Sequence, residues 1–127
     1  MKYKTADKYF EDLYNEVKDE TPEFEFLDDE GVKVRLLEAD GPKITNKRRI
    51  WADCTKLSDK VRIISGYDFV ITFYDVGQLS PTALKILMLH EMKHMGWNDG
   101  KPVIVPHDLE DFRDIVESYG PDWVTTL

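Results

Sequence analysis

Cysteine is nearly absent from this sequence. The single cysteine, Cys54, cannot form an internal disulfide, so the sequence gives no sign of a secreted scaffold held together by disulfides. Glycine and proline are also scarce, at 7 and 6 of 127 residues, while 42% of the residues are hydrophobic. This composition excludes collagen-like and disordered chains and predicts a folded protein, and the length favours one domain over residues 1–127.

Long apolar runs are missing as well. The sequence contains no stretch of about 18 apolar residues that could span a bilayer. Its first residues carry charge where a signal peptide needs an apolar segment. We therefore expect a soluble cytoplasmic protein with no membrane partner.

Positive charge is in deficit. The chain has 17 lysines and arginines against 25 aspartates and glutamates, a net charge of −8, which would repel a nucleic-acid backbone. One basic cluster interrupts this pattern, and it consists of Lys43, Lys47, Arg48 and Arg49. Because blocks of like charge are commonly solvated edges, we interpret the cluster in this way and expect no nucleic-acid partner. The alternative, a basic patch that binds nucleic acid, predicts an affinity that falls steeply with salt.

Hydrophobic periodicity predicts both helices and strands. Apolar residues three and four apart predict a first helix over residues 5–18. Alternation predicts a strand over residues 32–36 and another over residues 61–65, whereas the acidic residues 19–31 fit a strand or an ordered loop. The clearest strand covers residues 67–74, where apolar side chains on both faces indicate burial on both sides. If this strand lies at an edge of the sheet, an extended peptide could add to it.

The most apolar segment is a predicted helix that begins after Ser80-Pro81 and runs to about Met95. A hydroxyl at the N-cap, followed by proline at the first helical position, is a strong signal for the start of a helix. Only Lys85 and Lys93 interrupt the apolar surface of this segment. We therefore expect a helix that is buried almost all round.

A last helix is predicted to begin near Asp108, which can cap it, and to end at Gly120-Pro121. Together the elements predict a single α+β domain. We expect a small, mainly antiparallel sheet to pack against the apolar helix, with further helices near the N-terminal and C-terminal ends of the chain.

The apolar helix contains the sequence His90-Glu91-Met92-Lys93-His94, an H-E-x-x-H motif. On a helix His90 and His94 lie one turn apart on the same face, so their imidazoles can converge on one cation. Glu91 is rotated by about 100° from His90 and can reach a water on that cation without binding the cation itself. The arrangement predicts a zinc-dependent peptidase, in which zinc lowers the pKa of its water to about 7 and Glu91 is the general base.

A catalytic zinc site normally has three protein ligands, and His107 is the natural third one. It is the last of the three histidines in the chain. The loop before it contains Gly96 and the run Asn98-Asp99-Gly100, which would turn the chain back on itself. Asp108 is the alternative third ligand, or a hydrogen-bond acceptor for an imidazole N–H.

Other interpretations of the motif stay open at this point. The histidines could be hydrogen-bonded core residues without a metal, although burying them with a carboxylate would cost free energy. Cys54 could complete a closed structural zinc site, although a lone cysteine is more commonly a small buried hydrophobe. A non-enzymatic alternative is a metal-binding or protein-interaction domain that uses its acidic surface to hold a partner.

Several segments resemble the putative phage metallopeptidase family. They are YDFVI at residues 67–71, LHEMKH at residues 89–94, PHDLEDF at residues 106–112 and YGPDW at residues 119–123. The resemblance spans residues 51–123, and the histidine blocks are its specific part. The chain is also similar to SprT-like zincins, in which a histidine at the head of a later helix completes the metal site.

The resemblance implies a zincin-type α+β fold and one zinc ion bound by His90, His94 and His107. It implies Glu91 as the general base, a peptide or protein as substrate, and a phage or prophage protein acting in the host cytoplasm. A metzincin is disfavoured, because no Met-turn segment follows the motif.

Overall fold

The computed structural model describes residues 1–106. The last helix predicted from the sequence, with His107 and Asp108, lies outside these residues. The elements are, in chain order, β1 (Tyr3–Thr5), α1 (Lys8–Glu20), a 3-10 turn (Pro22–Phe24), α2 (Glu25–Asp29), β2 (Val34–Ala39), β3 (Lys43–Thr45), β4 (Arg48–Ile50), β5 (Ala52–Lys56), α3 (Asp59–Ser65), β6 (Phe69–Tyr74), α4 (Pro81–Met92), β7 (Met95–Asn98) and β8 (Lys101–Ile104).

Four strands form the main sheet in the order β1-β2-β6-β5. β2 and β6 run parallel, whereas β1 pairs with β2 and β5 pairs with β6 in the antiparallel sense. The hairpins β3–β4 and β7–β8 form two further two-stranded sheets. The α+β class is therefore confirmed, and the main sheet is mixed. The strand predicted over residues 67–74 is internal, so its interpretation as a sheet edge is wrong; within residues 1–106 the neighbouring edge is β5.

The hydrophobic core lies between one face of the sheet and the helices. Phe69, Ile71 and Phe73 alternate along β6 and have no solvent exposure. They belong to a buried cluster with side chains of α1 and α4. On the opposite face of β6, Thr72 and Tyr74 are also buried. The burial of this strand on both faces is thus as the sequence predicted.

Three predicted segments differ from the structure. The first helix begins at Lys8 because residues 3–5 pair with β2, and residues 19–31 contain helical turns in place of a strand. The strand predicted over residues 61–65 is wrong, since these residues lie in α3. The Ser58 hydroxyl caps α3 by accepting a hydrogen bond from the backbone N–H of Val61, and Gly66 ends it at φ 79°. No residue of α3 is buried, so the capping residues at its two ends, and not the burial of an apolar face, specify this helix.

The start of α4 is as predicted, but its end is not. The Ser80 hydroxyl accepts a hydrogen bond from the backbone N–H of Ala83 at 3.1 Å, and Pro81 occupies the first turn. α4 ends at Met92, because Met95 already belongs to β7. Among residues 1–106 no helix has the length and apolar content needed to cross a membrane.

The basic cluster has a structural role that the sequence interpretation missed. Lys43 forms an ion pair of 2.7 Å with Asp53 of β5. Arg49 donates hydrogen bonds to the carbonyl oxygens of Tyr74 and Asp75, at 3.3 and 2.9 Å. Two of the four basic residues therefore attach the β3–β4 hairpin to the main sheet.

Two isoleucines provide a matched test of this core. Ile71 has 0% exposure, whereas Ile63 of α3 is 86% exposed. We expect Ile71→Ala to lower the free energy of unfolding by about 2–5 kcal/mol, because it opens a cavity in the core. Ile63→Ala should change it by less than about 0.5 kcal/mol. Urea denaturation measures both, and equal losses would contradict the burial described here.

Candidate metal centre

The helix α4 buries Glu91 and Met92 of the H-E-x-x-H motif and leaves the two histidines partly exposed. Seven of its residues are buried, and they are Ala83, Leu84, Ile86, Leu87, Met88, Glu91 and Met92. As predicted, its lysines lie at the solvent-exposed edge of the helix. Lys85 pairs with Glu20 of α1 at 2.9 Å, and Lys93 lies 3.9 Å from Glu23. The apolar sequence thus buries the helix, and its C-terminal end carries the polar motif.

The structure brings three of the predicted site residues together. One ligand atom from each of His90, Glu91 and His94 lies within 4.8 Å of the other two. The ring centroids of His90 and His94 are 5.5 Å apart, with the ring planes at 86°. Lys93 keeps a right-handed helical conformation, and the backbone N–H of His94 donates to the carbonyl of Glu91 at 3.1 Å. The helical turn therefore continues past Met92 far enough for the two imidazoles to converge.

Glu91 is the most deeply buried member of this cluster, at 4% exposure. Burial raises the pKa of its carboxyl to about 8, and the nearby charge of Asp53 adds to the effect. Its Oε2 atom is buried without a hydrogen-bond partner in residues 1–106. An unpaired buried carboxylate costs free energy, and a cation or a polar ligand beside it removes that cost. The two imidazoles suit a divalent metal ion such as zinc, and the carboxylate lies beside them, within reach of a group bound to that ion.

A backbone carbonyl fixes the orientation of His94. Nδ1 of His94 lies 2.7 Å from the carbonyl oxygen of Val105. Since a carbonyl can only accept, Nδ1 carries the hydrogen, and Nε2 is the nitrogen that could bind a cation. The backbone N–H of Val105 also donates to the carbonyl of His94, at 2.7 Å. No local sequence signal points to this contact, because Val105 contributes only backbone atoms.

The β7–β8 hairpin returns the chain to His94. Asp99 and Gly100 occupy its turn with φ of 52° and 73°, which matches the two-residue turn that favours hairpins. The predicted reversal of the chain at this run is therefore correct. Because the chain reverses here, Val105 lies beside His94. In the sequence, His107 follows Val105 by two residues.

Cys54 lies outside the cluster that His90, Glu91 and His94 form among the described residues. Burial raises the pKa of its thiol to about 12, with smaller contributions from the charges of Glu91 and Asp53. A cysteine binds zinc as the thiolate, which these surroundings disfavour. The described part of the chain thus gives no support to Cys54 as a fourth ligand.

Sequence reasoning also missed Asp53 of β5, whose charge contributes to the raised pKa of Glu91. Its Oδ2 atom accepts hydrogen bonds from the Tyr74 hydroxyl at 2.8 Å and from Lys43 at 2.7 Å. The sequence shows a carboxylate at position 53, but only the pairing of β5 with β6 shows which groups this carboxylate contacts.

The raised pKa of Cys54 predicts slow alkylation. At about pH 8.5 an unfolded cysteine is roughly half ionised, whereas the buried thiol stays protonated, so iodoacetamide should react more than about a hundredfold more slowly with the native protein. Mass spectrometry follows the reaction with and without concentrated urea. The control is Thr55→Cys in a Cys54→Ser background, which places a thiol at an exposed neighbouring position. Equal rates for native Cys54 and this exposed thiol would contradict the burial.

One of the comparisons with known proteins gives a match. No curated protein sequence and no solved structure matches the chain. A family model described as putative phage metallopeptidase matches residues 1–127, so the similarity also covers the first 50 residues, which the sequence motifs left outside it. Because that match extends over the whole chain, the chain belongs to the putative phage metallopeptidase family.

Proposed function

We propose that this protein is a zinc-dependent peptidase of the zincin type that acts in the cytoplasm of a phage-infected host. The observation that carries the proposal is the convergence of His90 and His94 beside the buried Oε2 of Glu91, which has no hydrogen-bond partner among residues 1–106. Two imidazoles suit zinc, the carboxylate beside them suits a general base, and membership of a metallopeptidase family points to a metal ion and to a peptide or protein substrate.

His107 is our proposed third ligand, with Asp108 as the alternative. The described backbone supports both, because Val105 is hydrogen-bonded to His94 through N–H and carbonyl alike. His107 follows Val105 by two residues, a span of at most about 7 Å, so the length of the chain allows its side chain to reach the cluster. An imidazole from this position would complete a set of three ligands and leave a fourth position open.

The proposed chemistry assigns the proton transfers to Glu91. A bound zinc ion would lower the pKa of a water molecule and polarise the carbonyl of the substrate. Glu91 accepts a proton from the water as the water oxygen bonds to the carbonyl carbon of the substrate. It then donates this proton to the amide nitrogen as the C–N bond breaks. The burial that raises the pKa of Glu91 suits a group that must both take and release a proton.

The edge strand β5 is our proposed place for the substrate backbone. β5 contacts both α4 and β8, and within residues 1–106 no further strand of the main sheet pairs with its outer edge. An extended peptide could add to this edge through main-chain hydrogen bonds. The sequence interpretation placed the added peptide at the strand that is now β6. Because β6 is internal in the sheet, we propose β5 for this role.

Substitution of the proposed base tests the enzymatic function. We expect Glu91→Gln to keep the metal and to reduce hydrolysis of an unfolded protein substrate by about 10²–10⁴-fold, because the general base is lost. The measurement is a gel-based cleavage assay, with elemental analysis of protein purified without added metal. Glu23→Gln, the same change at an exposed residue near the helix, should leave cleavage unchanged.

Cleavage by neither the wild-type protein nor Glu91→Gln, with metal bound in both, would favour the non-enzymatic metal-binding alternative. A metal content near zero in a folded wild-type protein would favour histidines that serve only the core.

A pair of substitutions separates the candidate third ligands. His107→Ala should weaken zinc binding by more than about tenfold, whereas Asp108→Asn should leave the affinity within about threefold of the wild-type value. Competition with a chromogenic chelator measures both dissociation constants. The reverse pattern would assign the third ligand to Asp108.

A further inference from the structure

We propose that Gly96 is a positioning residue for the metal centre. The space left by its missing side chain lets β8 approach β7 closely enough for the Val105 carbonyl to hold the imidazole of His94. The inference rests on the proposed function only in taking His94 as a metal ligand.

The backbone conformation of Gly96 does not require glycine. Its φ lies outside the left-handed region, unlike that of Gly100 at 73°. The requirement is spatial: a Cβ atom at position 96 would lie 2.9 Å from Cγ2 of Val103 and 3.0 Å from Cγ2 of Val105. Both distances are too short for two carbon atoms, which prefer a separation of about 3.5–4.0 Å. An alanine here would therefore force one of the two strands to move.

The two valines have little freedom to move aside. Gly96 is directly opposite Val103 in the β7–β8 ladder, and Val105 follows two residues later on the same face. Valine is stiff at χ1, so relieving both contacts by side-chain rotation is costly. The remaining way to relieve them is a shift of the β8 backbone away from β7.

Such a shift acts directly on the ligand. Val105 contacts His94 twice at 2.7 Å, through its backbone N–H and through its carbonyl oxygen. When the carbonyl moves away, Nδ1 of His94 loses its acceptor, and the ring can rotate or change tautomer. Loss of the group that orients a metal-binding histidine typically weakens metal binding by about 10–100-fold.

A matched pair of glycine substitutions tests the proposal. We expect Gly96→Ala to weaken zinc binding by at least about tenfold in a chelator competition assay. Gly77→Ala is the control, because its φ is not left-handed and no atom of the described residues lies within 4 Å of the added Cβ. It should leave the zinc affinity unchanged. An unchanged affinity in Gly96→Ala would overturn the proposal.

Removing the two valine side chains should rescue the defect. In Gly96→Ala/Val103→Ala/Val105→Ala the contacts are gone but the Val105 carbonyl remains in the main chain, so zinc affinity should return to within about threefold of the wild-type value. This variant also serves if Gly96→Ala does not fold. A folded rescue variant that still binds zinc weakly would overturn the proposal, because the space at position 96 would then not be the cause.

The tautomer of His94 gives a second readout that needs neither metal nor activity. In the metal-free wild-type protein, ¹⁵N NMR should show the hydrogen on Nδ1 of His94, and in a folded Gly96→Ala this preference should be lost. An unchanged tautomer would overturn the proposal. Absence of zinc binding by the wild-type protein would count against the proposed function alone, since the tautomer measurement still decides on Gly96.

Discussion

Burial of polar groups at the end of an apolar helix is the constraint around which the rest of the structure is arranged. The sheet and α1 cover α4, so Glu91 of the motif at its C-terminal end is buried while the two histidines stay partly exposed. There the carboxylate of Glu91 has a raised pKa and one oxygen without a partner among the described residues. In such surroundings electrostatic interactions are strong and unpaired groups are costly, which is why a cation suits the site.

The parts of the structure that follow local rules could be predicted from the sequence. The Ser80 cap and the apolar segment after it predicted α4, because capping and burial of a helix depend on nearby residues. The convergence of His90 and His94 could be predicted as well, since helical geometry alone places residues four apart on one face. These two rules yield most of the candidate site.

The parts that depend on pairing between distant segments could not be predicted. Apolar alternation suggested a strand over residues 61–65, whereas the helix caps at Ser58 and Gly66 proved decisive. Strand order is not encoded locally, so β6 was taken for an edge although β2 and β5 flank it. The same holds for two other groups. The Val105 carbonyl reaches His94 only through the pairing of β7 with β8, and Asp53 influences Glu91 through its charge from the neighbouring strand β5.

The short hairpin after the motif shows how local and distant effects combine. The two-residue turn at Asp99-Gly100 sets the register in which Met95 pairs with Ile104, and His94 and Val105 continue that register beyond the ladder. One residue more in the turn would shift every pairing, reverse the faces of β8 and place a different carbonyl opposite His94. A turn at the far end of the hairpin therefore determines which carbonyl contacts the imidazole of His94.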